Sequence, residues 1–160
     1  MTRKTTPPVG TEHLSDQRHA AFWKEATSAT RCVSANRLAD IGWFDDNEEG
    51  ARFCADAVLS GDKTATSTLA ATARSYVPGD LEIVTLFDGT PVALIEITHV
   101  DERPFGSIDD AFARLEGDCS LNQWRETHER YYGARLSERG EVLSEDTPLL
   151  RIFFRRLYPL

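Results

Sequence analysis

The chain has 160 residues and a formal net charge of −8, with 18 Lys and Arg against 26 Asp and Glu. That length allows one domain with a substantial core, and a hydrophobic fraction of 41% separates it from disordered chains. So acidic a chain is poorly suited to tracking duplex DNA, where Lys and Arg must neutralise many phosphates, but a small basic pocket for a nucleoside or a short single strand remains compatible with it.

In chain order, residues 1–15 (MTRKTTPPVGTEHLS) are polar with a proline pair and read as a flexible N-terminal tail, leaving 16–160 as a single domain. A first helix is predicted over 17–31, with Phe22, Trp23, Ala26 and Val33 on one apolar face. A second is predicted over 47–60. Asp46 is its candidate cap, Glu49 completes a capping box, Phe53, Cys54, Ala57 and Val58 form its buried stripe, and Gly61 ends it. A short third helix over 108–115 is expected to start at Ser107 and to bury Ile108, Phe112 and Leu115. A fourth over 121–132 starts at Ser120 with Gln123 in box position, buries Leu121, Trp124 and Tyr131, and stops at Gly133.

Strands are predicted at 64–69, 81–87, 91–100 and 149–157. Asp88-Gly89 joins the middle two as a hairpin turn, and their near-continuous apolar character implies burial on both faces. Helices that precede and separate runs of strands disfavour a parallel βαβ sheet. They favour an α+β fold with a mixed or antiparallel barrel and flanking helices.

Cys32, Cys54 and Cys119 form no CxxC pair, which suits a reducing cytoplasm. The histidines at 13, 19, 99 and 128 make no metal-ligand spacing, so neither a structural zinc nor a cofactor is expected. No run approaches the ~18 apolar residues of a membrane span, and the N-terminus lacks an apolar signal core, so the expected location is cytoplasmic with no membrane partner. P-loop, GxSxG, GxGxxG and zinc-deaminase patterns are all missing from the sequence.

Two stretches could carry chemistry. In GDKTATSTL, residues 61–69, Lys63 precedes the hydroxyls of Thr64, Thr66, Ser67 and Thr68. This is either a turn and a half-exposed strand, or a lysine placed to activate a hydroxyl for attack on an acyl carbon. Strand alternation puts Lys63 on the face of Ser67, so Lys63 and Thr66 meet only if Lys63 lies in the turn before the strand or a bulge intervenes. In ARLEGDCSLNQWRETH, residues 113–128, Glu116 and Asp118 flank a glycine between two helices. They are either solvated and capping groups or a general acid or base. Arg125 and His128, three apart, share a helix face. Arg125, with Tyr131 and Tyr132 nearby, either holds a phosphate or base or forms a surface ion pair. Trp43-Phe44 either stacks a base or enters the core. Arg151, Arg155 and Arg156 are either a phosphate-binding stripe or a solvated edge strand.

Over residues 43–157 these segments together resemble the ASCH-domain family. The resemblance rests on G-x-K-T-A-T at 61–66 combined with E-G-D-x-S-L-x-x-W-R at 116–125, with PGD at 78–80, PVALIEITHV at 91–100 and SEDTPLLRIFF at 144–154 between and after them. It implies a PUA-like barrel with a cleft above it, a nucleoside or RNA ligand, and no metal. One enzymatic line in that family consists of small bacterial amidohydrolases that remove the acyl group from N4-acylated cytidine. Their catalytic Lys, Thr and Glu carry over to Lys63, Thr66 and Glu116, with Glu116 chosen over Asp118. The resemblance further implies substrate contacts from Phe44, Thr64, Ser67, Asp118, Arg125 and Tyr132. Thr66 would attack the amide carbonyl, Lys63 would take its proton or stabilise the oxyanion, and Glu116 would bind or protonate the leaving amine. The partners implied are a modified cytidine nucleoside or a short single-stranded RNA. The alternatives are an RNA-binding or metal-independent RNA-cleaving domain, in which Lys63 assists the ribose 2′-hydroxyl, and a non-catalytic binding module.

Overall fold

The computed structural model describes residues 14–30, 37–118 and 120–160. Most of the expected tail, together with Cys32, Val33 and Cys119, lies outside the described residues. The helices are α1 (Gln17–Ala29), α2 (Glu48–Ser60), α3 (Asp110–Leu115) and α4 (Leu121–Ser137). The strands are β1 (Leu38–Gly42), β2 (Ala65–Leu69), β3 (Leu81–Thr85), β4 (Pro91–Pro104) and β5 (Pro148–Tyr158).

The strands form one sheet in the order β1-β3-β4-β5-β2. Its pairs are antiparallel except β1 with β3, which is parallel. The fold is therefore α+β with a mixed sheet and flanking helices, as expected. The barrel holds only loosely, because β1 and β2 remain the two edges of an open sheet. Register irregularities at Leu94/Ile95 and Ile97/His99 interrupt β4 along its pairing with β5, and such bulges bend a strand. The sequence patterns left β1 out: its five residues carry too little periodicity, and pairing with β3 is what makes them a strand.

All five residues of β3 are buried, in agreement with its apolar run, because helices cover both faces. Leu81 and Ile83 pack with Trp23 and Ala26 of α1, while Val84 packs with Val58 of α2. A third cluster joins β2 and β5 to α3 and α4 through Ala65, Phe112, Trp124 and Leu149. Each such large side chain taken out of water contributes roughly 1.5–3 kcal/mol.

The helix starts are set by side-chain caps. Ser120 accepts from Gln123 N–H at 3.2 Å, as the box pattern predicts. Asn47, rather than Asp46, caps α2, because Asp45 takes a left-handed turn (φ 72°) that moves the start one residue on. Asp109, rather than Ser107, caps α3, since Ser107 is spent in a short 3-10 turn bonding Pro104 O. Nor does Gly133 stop α4. The helix continues to Ser137, where burial of Leu136 offsets the ~1 kcal/mol cost of a helical glycine.

Two residues assigned to buried stripes are exposed. Phe53 is 61% accessible and Leu115 is 39% accessible, because neighbouring Ala51, Ala55 and Ala113 make the close contacts instead. The arginine stripe is not on an edge strand, since β5 lies between β4 and β2. Its charges are already used within the protein. Arg151 forms a two-pronged pair with Asp101 at 2.7 Å, Arg155 pairs with Glu96 at 3.1 Å, and Arg156 donates to Leu59 O.

Candidate active site

Two helix ends build the site. α2 ends at Gly61, whose left-handed φ of 89° lets its N–H reach Ala57 O. Lys63 N–H bonds the same carbonyl at 3.0 Å, so Lys63 lies in the turn before β2. α3 ends in the same way at Gly117, φ 95°. Gly117 N–H bonds Arg114 O and Asp118 N–H bonds Ala113 O, which is the Schellman pattern. The Glu-Gly-Asp stretch is thus a helix terminator that fixes where two carboxylates stand. Thr64 N–H to Leu115 O at 2.8 Å joins the two turns.

Lys63 is 4% accessible. Its Nζ donates to Ala65 O at 2.9 Å and Glu116 O at 3.1 Å, stands 3.7 Å from Glu116 Oε1, and lies 4.9 Å from the Phe44 ring centre. Two carbonyls, a carboxylate and a ring face thus surround Nζ, which is held in place as a hydrogen-bond donor. Nζ makes no hydrogen bond to Thr66, even though Lys63 occupies the turn that was expected to allow one.

Glu116 is the hub. Oε1 accepts from Ser67 N–H at 2.8 Å. Oε2 accepts from Ser67 Oγ at 2.9 Å and from Trp124 Nε1, and faces His128 Nε2 at 3.4 Å. Removing a carboxylate from water costs several kcal/mol, and charge-assisted hydrogen bonds return about 1.5–3 kcal/mol each. Burial alone would push this carboxyl up. The His128 ring, the Lys63 ammonium and the bonds from Trp124 and Ser67 together outweigh burial and hold it below its ordinary range.

α4 supplies the wall. Trp124, His128 and Tyr132 recur every fourth residue and so form one stripe. His128 stacks on Trp124 at 4.2 Å between ring centres, and its Nδ1 lies 2.7 Å from Trp124 O. Tyr132 is buried and its hydroxyl pairs with Ser67 Oγ at 2.7 Å. Burial, with the nearby Glu116 charge, keeps that phenol well above its ordinary range.

The stripe opens on a cleft of about 600 Å³, within the range of small-molecule sites. Phe44, Lys63, Thr66, Ser67, Glu116, Asp118 and Tyr132 all line it. Thr66 is half-buried there, and its hydroxyl has no hydrogen-bond partner among the described residues. Asp45, Asp46 and Glu49, at the start of α2, add acidity to the rim, giving five carboxylates against the two fixed cations Lys63 and Arg130. Asp45 lies so close over Gly50 that a Cβ at Gly50 would strike its carboxylate.

Thr64 and Arg125 are not brought to the cleft. Thr64 uses its backbone to tie β2 to α3 and β5. Arg125 points one helical step away, pairs with Glu145 at 3.0 Å and covers Phe105. Its helix neighbour His128 enters instead, and the signal for this was the four-residue spacing from Trp124 to Tyr132. The acidic rim was readable only as a helix start. Trp43 leaves the cleft to pack on Phe87, while Phe44 stacks on Phe154 and lines the cleft. Tyr132 presents its hydroxyl to Ser67 and is too buried to offer a face to a base. Among the described residues no group of His, Cys, Asp and Glu is arranged to hold a metal, and no helix is long and apolar enough to cross a membrane.

The depressed Glu116 carboxyl has a pH consequence. Its folded value lies below the unfolded value of about 4.3, so its contribution to stability is complete above that pH and is lost as pH falls through the folded value. Asp118, raised in the fold, acts with the opposite sign. Urea unfolding from neutral pH into the acid range should show a fall in stability that Glu116→Gln flattens. Parallel curves for the two proteins would remove Glu116 as its source.

An open mixed sheet with helices on its faces, and a charged cleft where two helix ends meet, defines a PUA-like α+β domain. The chain belongs to the ASCH domain family, matched over residues 40–158. ASCH domains are associated with RNA binding. The crystal structure of an ASCH domain from Lactobacillus crispatus superposes with a TM-score of 0.81 at 28% identity, over 90% of this chain and 96% of that one. Protein EF3133 from Enterococcus faecalis gives a TM-score of 0.67 at 25% identity, over 74% of this chain and 78% of that one. No curated protein matches the chain.

Proposed function

We propose that this ASCH domain is an amidohydrolase that removes the acyl group from the exocyclic amine of N4-acylated cytosine nucleosides. The observation that carries the reading is the meeting of Lys63, Thr66 and Glu116 on one cleft of about 600 Å³, with the Thr66 hydroxyl unengaged among the described residues. Thr66 Oγ attacks the amide carbonyl. The Lys63 ammonium, which places two hydrogen bonds on the Ala65 and Glu116 carbonyl oxygens, stabilises the oxyanion electrostatically. Glu116 keeps Lys63 and Ser67 in position.

The RNA reading has the family's association behind it and the charge of the cleft against it. A polyanion needs cations along its path, and carboxylates outnumber fixed cations in this lining. A free nucleoside, which carries no phosphate, meets no such repulsion.

The test is an absorbance assay of N4-acetylcytidine conversion to cytidine, run beside binding of a labelled single-stranded RNA. Turnover with weak RNA binding is the expected result. No conversion of acetyl, propionyl or benzoyl cytidine, together with RNA binding that weakens steeply with salt, would move the site to the RNA class.

A further inference from the structure

Proton transfer needs a carboxyl oxygen that faces the substrate with a lone pair to spare. Glu116 is poorly placed for this. It is buried, and its carboxylate already accepts from Ser67 N–H, Ser67 Oγ and Trp124 Nε1, with Lys63 Nζ 3.7 Å from Oε1 and His128 Nε2 3.4 Å from Oε2. Asp118, two residues on, is held by the Schellman turn and lines the same cleft. Its carboxyl accepts no hydrogen bond from any described residue, and it is only half-buried.

We infer that Asp118 carries the proton between Thr66 and the leaving amine, and that Glu116 is a positioning residue. The inference rests on the amidohydrolase reading. The titratable groups that act on Asp118 are Glu116, Lys63 and His128. Burial pushes the Asp118 carboxyl up and Glu116 pushes the same way; His128 and Lys63 oppose this without cancelling it. A carboxylate raised toward the working pH is a stronger base than one held below the ordinary range, and a larger share of it is protonated and able to act as the acid.

The steps balance without a cofactor. Thr66 Oγ bonds to the acyl carbon, its proton passes to the Asp118 carboxylate, and the carbonyl electron pair moves onto oxygen. Collapse restores the carbonyl and breaks the C–N bond as the Asp118 proton passes to the amine, releasing cytidine. Water then attacks the Thr66 ester and gives a proton to Asp118. The C–Oγ bond breaks, Thr66 Oγ recovers that proton, and the carboxylic acid leaves.

The test compares Asp118→Asn with Glu116→Gln across a pH series on N4-acetylcytidine, with carboxyl-carbon NMR titration of the wild type. Asp118→Asn should lower kcat by about 10²–10⁴-fold and abolish the acid limb of the pH profile, with KM and Tm near wild type. Glu116→Gln should lower Tm but retain the acid limb. Titration of Asp118 above the ordinary aspartate value of about 3.9 is expected. Wild-type kcat with an intact acid limb in Asp118→Asn overturns the assignment, as does titration at or below that ordinary value. Failure of the wild type itself to turn over any acylcytidine brings down the reaction reading first, and this assignment with it.

Discussion

Glu116→Ala is expected to destabilise the protein by about 3–5 kcal/mol, the range seen when one partner of a buried pair is removed. The loss leaves the Lys63 ammonium, 4% accessible, without its carboxylate, and leaves Ser67 N–H and Trp124 Nε1 without their acceptor. For a domain of this size that is a fall in Tm of roughly 6–20 °C. Lys63→Met, which keeps the aliphatic stem, should also destabilise, because it strands the Glu116 charge. The double variant Lys63→Met with Glu116→Gln should cost less than the sum of the two single changes, with a coupling of about 0.5–3 kcal/mol. Urea unfolding of the four proteins measures this directly. Strict additivity would mean that the two groups do not act as a pair.

Thr66→Val should do the reverse, leaving stability near wild type and lowering kcat by about 10³-fold or more. Valine keeps the branched shape that suits a strand, and no described residue loses a hydrogen bond. Ser67→Ala is the informative contrast. Ser67 Oγ is bonded to both Glu116 and Tyr132, so its loss should lower Tm as well as turnover. Full activity in Thr66→Val would eliminate Thr66 as nucleophile and turn attention to Ser67, whose hydroxyl already faces a carboxylate.

Much of the framework was legible in the chain. Ser120 and Gly61 marked helix ends because capping depends on a side chain or a left-handed φ at one position. The apolar run of β3 read as burial on both faces, and helices do cover both faces. Local rules failed where two of them competed. Asp46 and Asn47 are both good caps, and the turn at Asp45 selected between them. Gly133 is a helix stop by propensity, but the buried face of α4 continued past it. Phe53 had the spacing of a core residue, yet it projects to the cleft because the alanines beside it are what the sheet has room for.

Which stretches carry reactive groups, the helices and most of the strands around them, and the family to which they belong could all be read along the chain. Those features depend on residues close in the chain and on a motif of fixed spacing. What the groups do to one another was set by long-range packing. Lys63 meets Glu116 across 53 residues, and Ser67 meets Tyr132 across 65. Spacing on one face made Arg125 and His128 equal candidates, and packing of α4 against β2 admitted His128 alone. Hydrogen bonding and desolvation act over a few ångströms, so they are fixed only when separate elements pack, and that packing engages Ser67 and leaves the Thr66 hydroxyl without a partner among the described residues.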